Sequence, residues 1–362
     1  MAAVIETLET TNSGPPVDRR GRLSPLARRR WANFKTNRRG YWSTWIIGIL
    51  MVITLFAEFV ANPKPLVLTY EEDVYFPVLF TYPETTFGGV FETEADYTSP
   101  AVRELILDGG GLIVWPLIPF SFDTIDLFTV GAVPEAPSGR HWLGTDDVGR
   151  DVMARIIYGF RLSVWFGLAL TFMSAIIGVT VGATQGYFGG TIDLFGQRVV
   201  EIWAGLPMLF IIMILTSLIE PNVWTLLLLL LLFNWMALVP VVRAEVLRTR
   251  NFDYVRAARA LGQKDSIIII RSVLPNAMVA TLTYLPFLLS GSIVTLTSLD
   301  FLGFGLPAGY PSLGELLAQG KANIQAPWLG LSAFFTMVLM LTLLVFIGEA
   351  VRDAFDARRS IQ

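Results

Sequence analysis

Apolar residues come in long runs separated by short polar stretches, and this alternation sets the plan of the chain. Six runs are long enough to cross about 30 Å of hydrocarbon, which takes about 20 helical residues each. They lie near 42–61, 162–184, 199–219, 223–242, 278–299 and 328–348. Between the first and second runs stands a segment, 62–140, dense in tyrosine, phenylalanine and proline, which predicts a small ordered domain rather than a linker. Between the fourth and fifth, the stretch Asn251–Asn276 is patterned as a helix. Val255, Ala258, Leu261 and Gly262 fall at helical spacing on a small, apolar face, with Asp253, Arg256 and Gln263 on another. Asn251 can cap its start and Gly262 its end.

Further boundaries follow from the same reading. Residues 1–23 predict a disordered tail, and Ser24-Pro25 opens a short surface helix that leads into the first span over 24–61. The stretch 141–161 predicts an amphipathic helix at the interface, capped by Asp146 or Asp147. On it Val148, Val152, Met153, Ile156, Ile157 and Phe160 share a face, and Asp151 pairs with Arg155. A core of five spans covers 162–348, including the polar loop 243–277, and 349–362 forms a tail. Within the spans, Gly205 and Pro207 predict a kink, and Arg198 with Glu201 a local ion pair. Asn234, Ser290, Ser292, Thr295, Thr297 and Ser298 are candidates to line a passage, with helix-to-helix hydrogen bonding as the default for such groups.

Composition agrees with a membrane protein: 53% of the 362 residues are hydrophobic and only 16% charged, with a mean hydropathy of +0.57. Charge orients the spans. Residues 1–40 hold nine Lys/Arg against three acids and 243–277 seven against three, whereas 62–139 hold two against twelve. By the positive-inside rule both termini and the 243–277 loop are cytoplasmic, and 62–161 lies outside. The absence of cysteine excludes disulfides and thiolate sites. The single histidine, His141, is read as a surface or interfacial residue. Gly314–Ala322 (GELLAQGKA) has the wrong glycine spacing and no hydroxyl for a phosphate-binding loop, so this chain is not expected to hydrolyse ATP. No carboxylate stands deep in any predicted span, which weighs against an ion-coupled carrier.

Several strings carry a resemblance. Arg256-Ala257-Ala258, Gly262 and Leu274-Pro275 resemble the "EAA" loop of ABC importer permeases, although Arg256 stands at the family's glutamate and Ser272 at its isoleucine. His141–Val164, with LGTD, GRD, Arg155, Gly159 and Arg161, is similar to the signature of the dipeptide, oligopeptide and nickel permeases. Thr295–Pro307, PSLGELLAQGK and FIGEAVRDAFD resemble the C-type permeases of peptide importers. The large insertion and NFDYVRAARALG are most similar to the Yej-type permeases associated with microcin C and oligopeptide uptake.

The resemblance implies an all-α polytopic protein of the type I importer kind, with six transmembrane helices and a periplasmic insertion, in the bacterial inner membrane. It implies docking of an ATPase on Tyr254, Val255, Arg256, Ala257, Ala258, Arg259, Leu261 and Gly262. Implied partners are a second permease, ATP-binding subunits that carry ATP and Mg, a periplasmic binding protein and lipid, with no nucleic acid and no cofactor on this chain. The same machine carrying nickel, an ion-coupled carrier and a membrane-anchored assembly factor are the alternatives.

Overall fold

The computed structural model describes residues 25–71, 73–126 and 132–355. The expected tail 1–23, the cap at Ser24 and the end of 349–362 lie outside these residues. The chain is predominantly helical. Helix α1 (Pro25–Thr36) precedes α2 (Arg38–Leu55) and the one-turn α3 (Ala57–Val60), which is separated from α2 at Phe56. Asn37 caps α2, accepting from the Gly40 amide at 3.2 Å.

Among the described residues, four apolar stretches have the length and composition to cross a membrane. They are α5 (Val152–Phe188), Val223–Thr249, Asp265–Phe301 and α14 (Pro327–Phe355). Val223–Thr249 comprises α8 (Val223–Asn234), a tight turn and α9 (Val239–Thr249), and α12 (Leu274–Phe301) ends Asp265–Phe301. A fifth is a broken pair, α6 (Gly190–Ala204) and α7 (Met208–Leu218), bent by 67°. The bend falls at Gly205-Leu206-Pro207 as expected, because Pro207 offers no amide and Gly205 no side chain to stiffen the junction. The first expected span corresponds to α2 and α3, which fall outside this count.

The spans pack through small residues. Gly178, Gly182 and Gly186 make a four-residue ladder on α5 against Val223–Thr249. A Cβ at these positions would come within 2.6 Å of the Trp235 carbonyl, 2.8 Å of the Val239 carbonyl and 2.8 Å of the Arg243 carbonyl. Hydrogen at Cα thus lets two backbones touch where lipid supplies no hydrophobic drive between helices. Gly186→Val should therefore separate α5 from α9 and lower the thermal midpoint of the detergent-solubilised chain, while Gly48→Val, which meets nothing within 4 Å, should not.

The described residues of 62–140 correct the all-helical expectation. A three-stranded sheet in the order β2-β1-β3 joins β1 (Val67–Tyr70), β2 (Asp73–Tyr75) and β3 (Ile113–Val114), all antiparallel, with Leu68 opposite both Tyr75 and Ile113. Helix α4 (Pro100–Asp108) covers it, and Leu68, Phe87, Tyr97, Val102 and Ile106 are buried between them. Strands of two to four residues are too short to leave a period-2 signal.

The stretch 141–161 is also corrected. No separate interfacial helix forms: 141–151 is a run of turns, and one helix of 37 residues, α5, continues from there to Phe188. Its cap is Asp151, which accepts from the Ala154 amide at 2.8 Å. Asp146, an expected cap, is taken by Arg150 instead.

Candidate functional site

The stretch expected to dock a partner is a compact helical hairpin at the Phe188 end of α5. Helix α10 (Asp253–Ala260) is closed at its C-terminus by Gly262 at φ +76°. The Gln263 amide donates to the Ala258 carbonyl at 3.2 Å and the Gly262 amide to the Arg259 carbonyl at 3.0 Å, the paired bonds of a Schellman motif, which favours glycine at its left-handed position. The expected Asn251 cap does not form. Asn251 donates to the Leu247 carbonyl and still belongs to the end of the preceding helix, so Phe252 takes the N-cap position with no side-chain bond.

Val255 is fully buried with Val246, Ile268 and Val273, and Ala258 packs partly against them. These two members of the expected docking set hold α10 to the chain itself. Tyr254, Arg256, Ala257, Arg259, Leu261 and Gly262 are exposed, Leu261 by 81%.

Behind α10, Tyr187 at the end of α5 ties the hairpin down. Its hydroxyl donates to Asp265 at 2.5 Å, at the start of α11 (Asp265–Ile268), and the Arg259 guanidinium lies 5.0 Å above its ring. Arg250 reaches the Gly186 carbonyl at 3.0 Å. An open groove of about 670 Å³ between Tyr187, Arg250, Arg259, Gly262 and Asp265 borders the exposed face. Between α11 and α12 the chain makes a π-helical turn, Ile269–Val273, a rare form that is frequent at functional sites. Helix α10 is thus joined to the end of α5 through Tyr187 and packs through Val255 on Val273 of this turn.

At the other end of α5 a second group of residues is buried that the sequence reading did not assemble. Arg155 is fully buried and donates to Glu315 at 2.6 Å, on α13 (Leu313–Ala322), and to the carbonyls of Phe122 and Tyr310. The expected Asp151–Arg155 pair does not form because Asp151 is engaged in capping. Arg150 bridges Asp146 at 2.7 Å and Glu315 at 3.1 Å. Burial pushes the Glu315 carboxyl above its ordinary range, against the pull of Arg155 and Arg150. Two arginines and two carboxylates thus neutralise one another inside the junction. This accounts for the GRD string and Arg155, and for PSLGEL as their partner, capped by Ser312.

His141 is buried, correcting its surface reading. Its Nδ1 lies 2.8 Å from Asp151 and its Nε2 3.2 Å from Asp126, with the ring stacked on Phe120 at 4.5 Å and Arg140 also on Asp126. Burial opposes its charge, but the bonds to Asp151 and Asp126 prevail and raise its pKa above the usual 6.5. A raised folded-state value means the stabilisation is fully present below the unfolded value of about 6.5 and is lost as pH rises through the folded value. The thermal midpoint of the wild-type chain should therefore fall across that alkaline side, and His141→Asn should remove this component of the pH dependence. Parallel profiles would remove the role.

The passage candidates separate. Asn234 donates to Ser174 at 3.2 Å and to Ser292 at 3.0 Å, and Thr297 is buried against Met337, so Ser292 and Thr297 join helices. Ser290, Thr295 and Ser298 bond back to carbonyls of their own helix. Ser298 is exposed and Ser290 and Thr295 are half-buried. Arg198 and Glu201 pair at 2.6 Å as expected. Asp300, just past the expected end of the fifth span, is buried and accepts from Ser312 at 2.5 Å, fixing the start of α13. Gly314–Ala322 is helical, so it forms no phosphate loop.

Residues 176–361 match the family described as binding-protein-dependent transport system inner membrane component. The inner membrane ABC transporter permease protein YejE of Escherichia coli is 56% identical over 340 residues, covering 94% of this chain and 99% of that protein. The peptidoglycan transport system permease protein YejE of Agrobacterium fabrum is 52% identical over 364 residues, covering 94% and 95%. The dipeptide transport system permease protein DppC of Bacillus subtilis is 35% identical over 225 residues, covering 61% and 70%. The string resemblances and these matches agree, and the chain belongs to the binding-protein-dependent transport system inner membrane components, as an ABC importer permease of the oligopeptide and dipeptide group.

Proposed function

We propose that this chain, paired with a second permease, forms the membrane passage of an ATP-driven importer of peptides or peptide-like compounds, of the microcin C and oligopeptide type. In this reading six helices cross the bacterial inner membrane, both termini and the 243–277 loop are cytoplasmic, and 62–140 is a periplasmic domain. An ATP-binding subunit, which holds the nucleotide and Mg, seats on α10 through Tyr254, Arg256, Ala257, Arg259, Leu261 and Gly262, with Val255 and Ala258 supporting them from beneath. A periplasmic binding protein delivers solute on the side of 62–140. The 67° break at Gly205 and Pro207 supplies a hinge, and Ser290, Thr295 and Ser298, whose hydroxyls bond only within their own helix, are the candidates to line the passage.

The observation that carries the reading is α10 itself: a helix closed at its C-terminus by Gly262 and anchored by Val255, which leaves Leu261 uncovered beside an open groove. Peptide as cargo is supported by relatives whose names specify dipeptide, oligopeptide and peptidoglycan transport. Co-purification from native membranes tests the assembly. The expected companions are a second permease, an ATP-binding subunit and a soluble binding protein. Recovery of the chain without any nucleotide-binding companion would count against the proposal.

A further inference from the structure

Arg198 and Glu201, paired at 2.6 Å on α6, stand where charge is costly. Two ties set their depth. Near one end of α6 Asp193 accepts from Arg243 at 2.5 Å, and near the other the Trp203 indole donates to the Leu232 carbonyl at 2.9 Å. Arg243 and Leu232 are the twenty-first and tenth residues of the span Val223–Thr249, so α6 runs antiparallel to it and lies against its middle. A carboxylate thus stands at mid-span, where the sequence reading placed none. The Arg198 and Glu201 side chains are 76% and 55% exposed, between Phe195 and Ile202, which are exposed as well. Hydrocarbon does not solvate such a pair, and charged groups at this depth face a water-filled space or the interior of a bundle.

A cavity of about 440 Å³ adjoins the pair. Val200 and Ala204, on the neighbouring stripe of α6, line it together with Met208, Phe233, Met236 and Pro240. Both of its walls are interrupted helices. Helices α6 and α7 meet at the 67° bend, and a tight turn at Trp235–Ala237 breaks Val223–Thr249. The indoles of Trp203 and Trp235 both donate to the Leu232 carbonyl beside this break, at 2.9 and 3.0 Å. Irregular backbone at membrane depth is covered by protein or lines a water-filled cavity, and midplane substrate sites of transporters are commonly built from interrupted helices.

We propose that Arg198, Glu201 and this cavity form a cargo site on the passage, for a short zwitterionic peptide with an apolar side chain. Arg198 takes the peptide carboxylate, Glu201 its ammonium, and the cavity the side chain. An exposed ion pair is weakly held, so the peptide opens it and each charge exchanges one partner for another, with none left alone. A second permease laid dry over the pair would instead strip both ions of water at a cost their attraction barely repays. The cavity volume falls within the range of small-molecule sites, about 300–1,000 Å³, and its apolar lining suits a leucine or phenylalanine side chain. The inference rests on the importer reading above and names where on this chain the cargo is held.

The test is photo-cross-linking in vesicles that hold this chain, the second permease, the ATP-binding subunits and the binding protein, with ATP. The probe is trileucine carrying a diazirine on one side chain, and the cross-linked positions are read by mass spectrometry. Cross-links are expected within 197–208 or 233–240 of this chain. Arg198→Gln and Glu201→Gln should each lower the cross-link yield and the initial uptake rate roughly tenfold at low peptide, the loss that goes with one charge-assisted contact. The second permease should still co-purify with the double variant. Uptake by the wild-type assembly without cross-links in these two stretches would overturn the site and leave the importer reading standing. Loss of the second permease from Arg198→Gln with Glu201→Gln would place the pair inside the subunit interface and overturn the site in the same way. Wild-type vesicles that take up no peptide would overturn the importer reading, and the site with it.

Discussion

Leu261→Asp is expected to abolish substrate-stimulated ATP hydrolysis by the assembled importer while the chain still inserts and folds. Leu261 touches little of its own chain, at 81% exposure, so the substitution has no core to disturb. If it is an anchor in a partner's groove, replacing it with a charge removes buried apolar area and strands a carboxylate. Central anchors of this kind cost about 2–4 kcal/mol when truncated, or some thirty-fold to several hundred-fold in affinity. Ala257→Trp should act in the same direction by holding the partner off the exposed backbone. Substitutions at Ala258 and Gly262 should also abolish stimulation, but through the hairpin itself. A bulky residue at Ala258 lifts α10 from Val246 and Ile268, and any side chain at Gly262 is strained at φ +76°. Stimulation unchanged in Leu261→Asp and Ala257→Trp would remove the docking assignment.

Arg155→Met is expected to be the most destabilising single substitution at the insert end of α5. Arg150, Arg155, Asp146 and Glu315 sum to zero charge, and removing Arg155 leaves one negative charge in excess in a buried site. Breaking a buried pair from one side costs about 3–5 kcal/mol because the remaining charge is uncompensated. The double substitution Arg155→Met with Glu315→Met leaves Arg150 with Asp146 and restores neutrality, so part of the loss should be recovered. Thermal unfolding of the detergent-solubilised chain distinguishes the cases. A double variant no more stable than Arg155→Met would show that Arg155 acts by packing and hydrogen bonds to Phe122 and Tyr310 rather than by charge.

What the sequence made legible depended on range. Four of the six expected spans, the broken one with its kink at Gly205 and Pro207, the Arg198–Glu201 pair and the glycine stop at Gly262 are local features, decided by neighbours within a turn or two. The exposed side of α10 was only half legible. Periodicity marked Val255, Ala258 and Leu261 as one face, but Val255 turns inward and Leu261, past the last helical turn, turns out. The insert-end network was not legible, because Glu315 lies 160 residues from Arg155 and no window joins them. His141 was misread for the same reason: beside Trp142 and after a Pro/Gly-rich stretch it looks superficial, and only the fold brings Asp126 and Asp151 to its two nitrogens. One signal was available. A string holding LGTD, GRD and Arg155 carries more charge than an interfacial helix needs, and the excess implied buried partners elsewhere.

Solute is expected to move only when a separate ATP-driven subunit acts on α10. Peptide uptake into vesicles measures this most directly. The purified chain alone should move no peptide with or without ATP, and uptake should appear when the second permease, the ATP-binding subunits and the binding protein are added with ATP. Peptide flux through the chain alone, driven by an ion gradient, would contradict it.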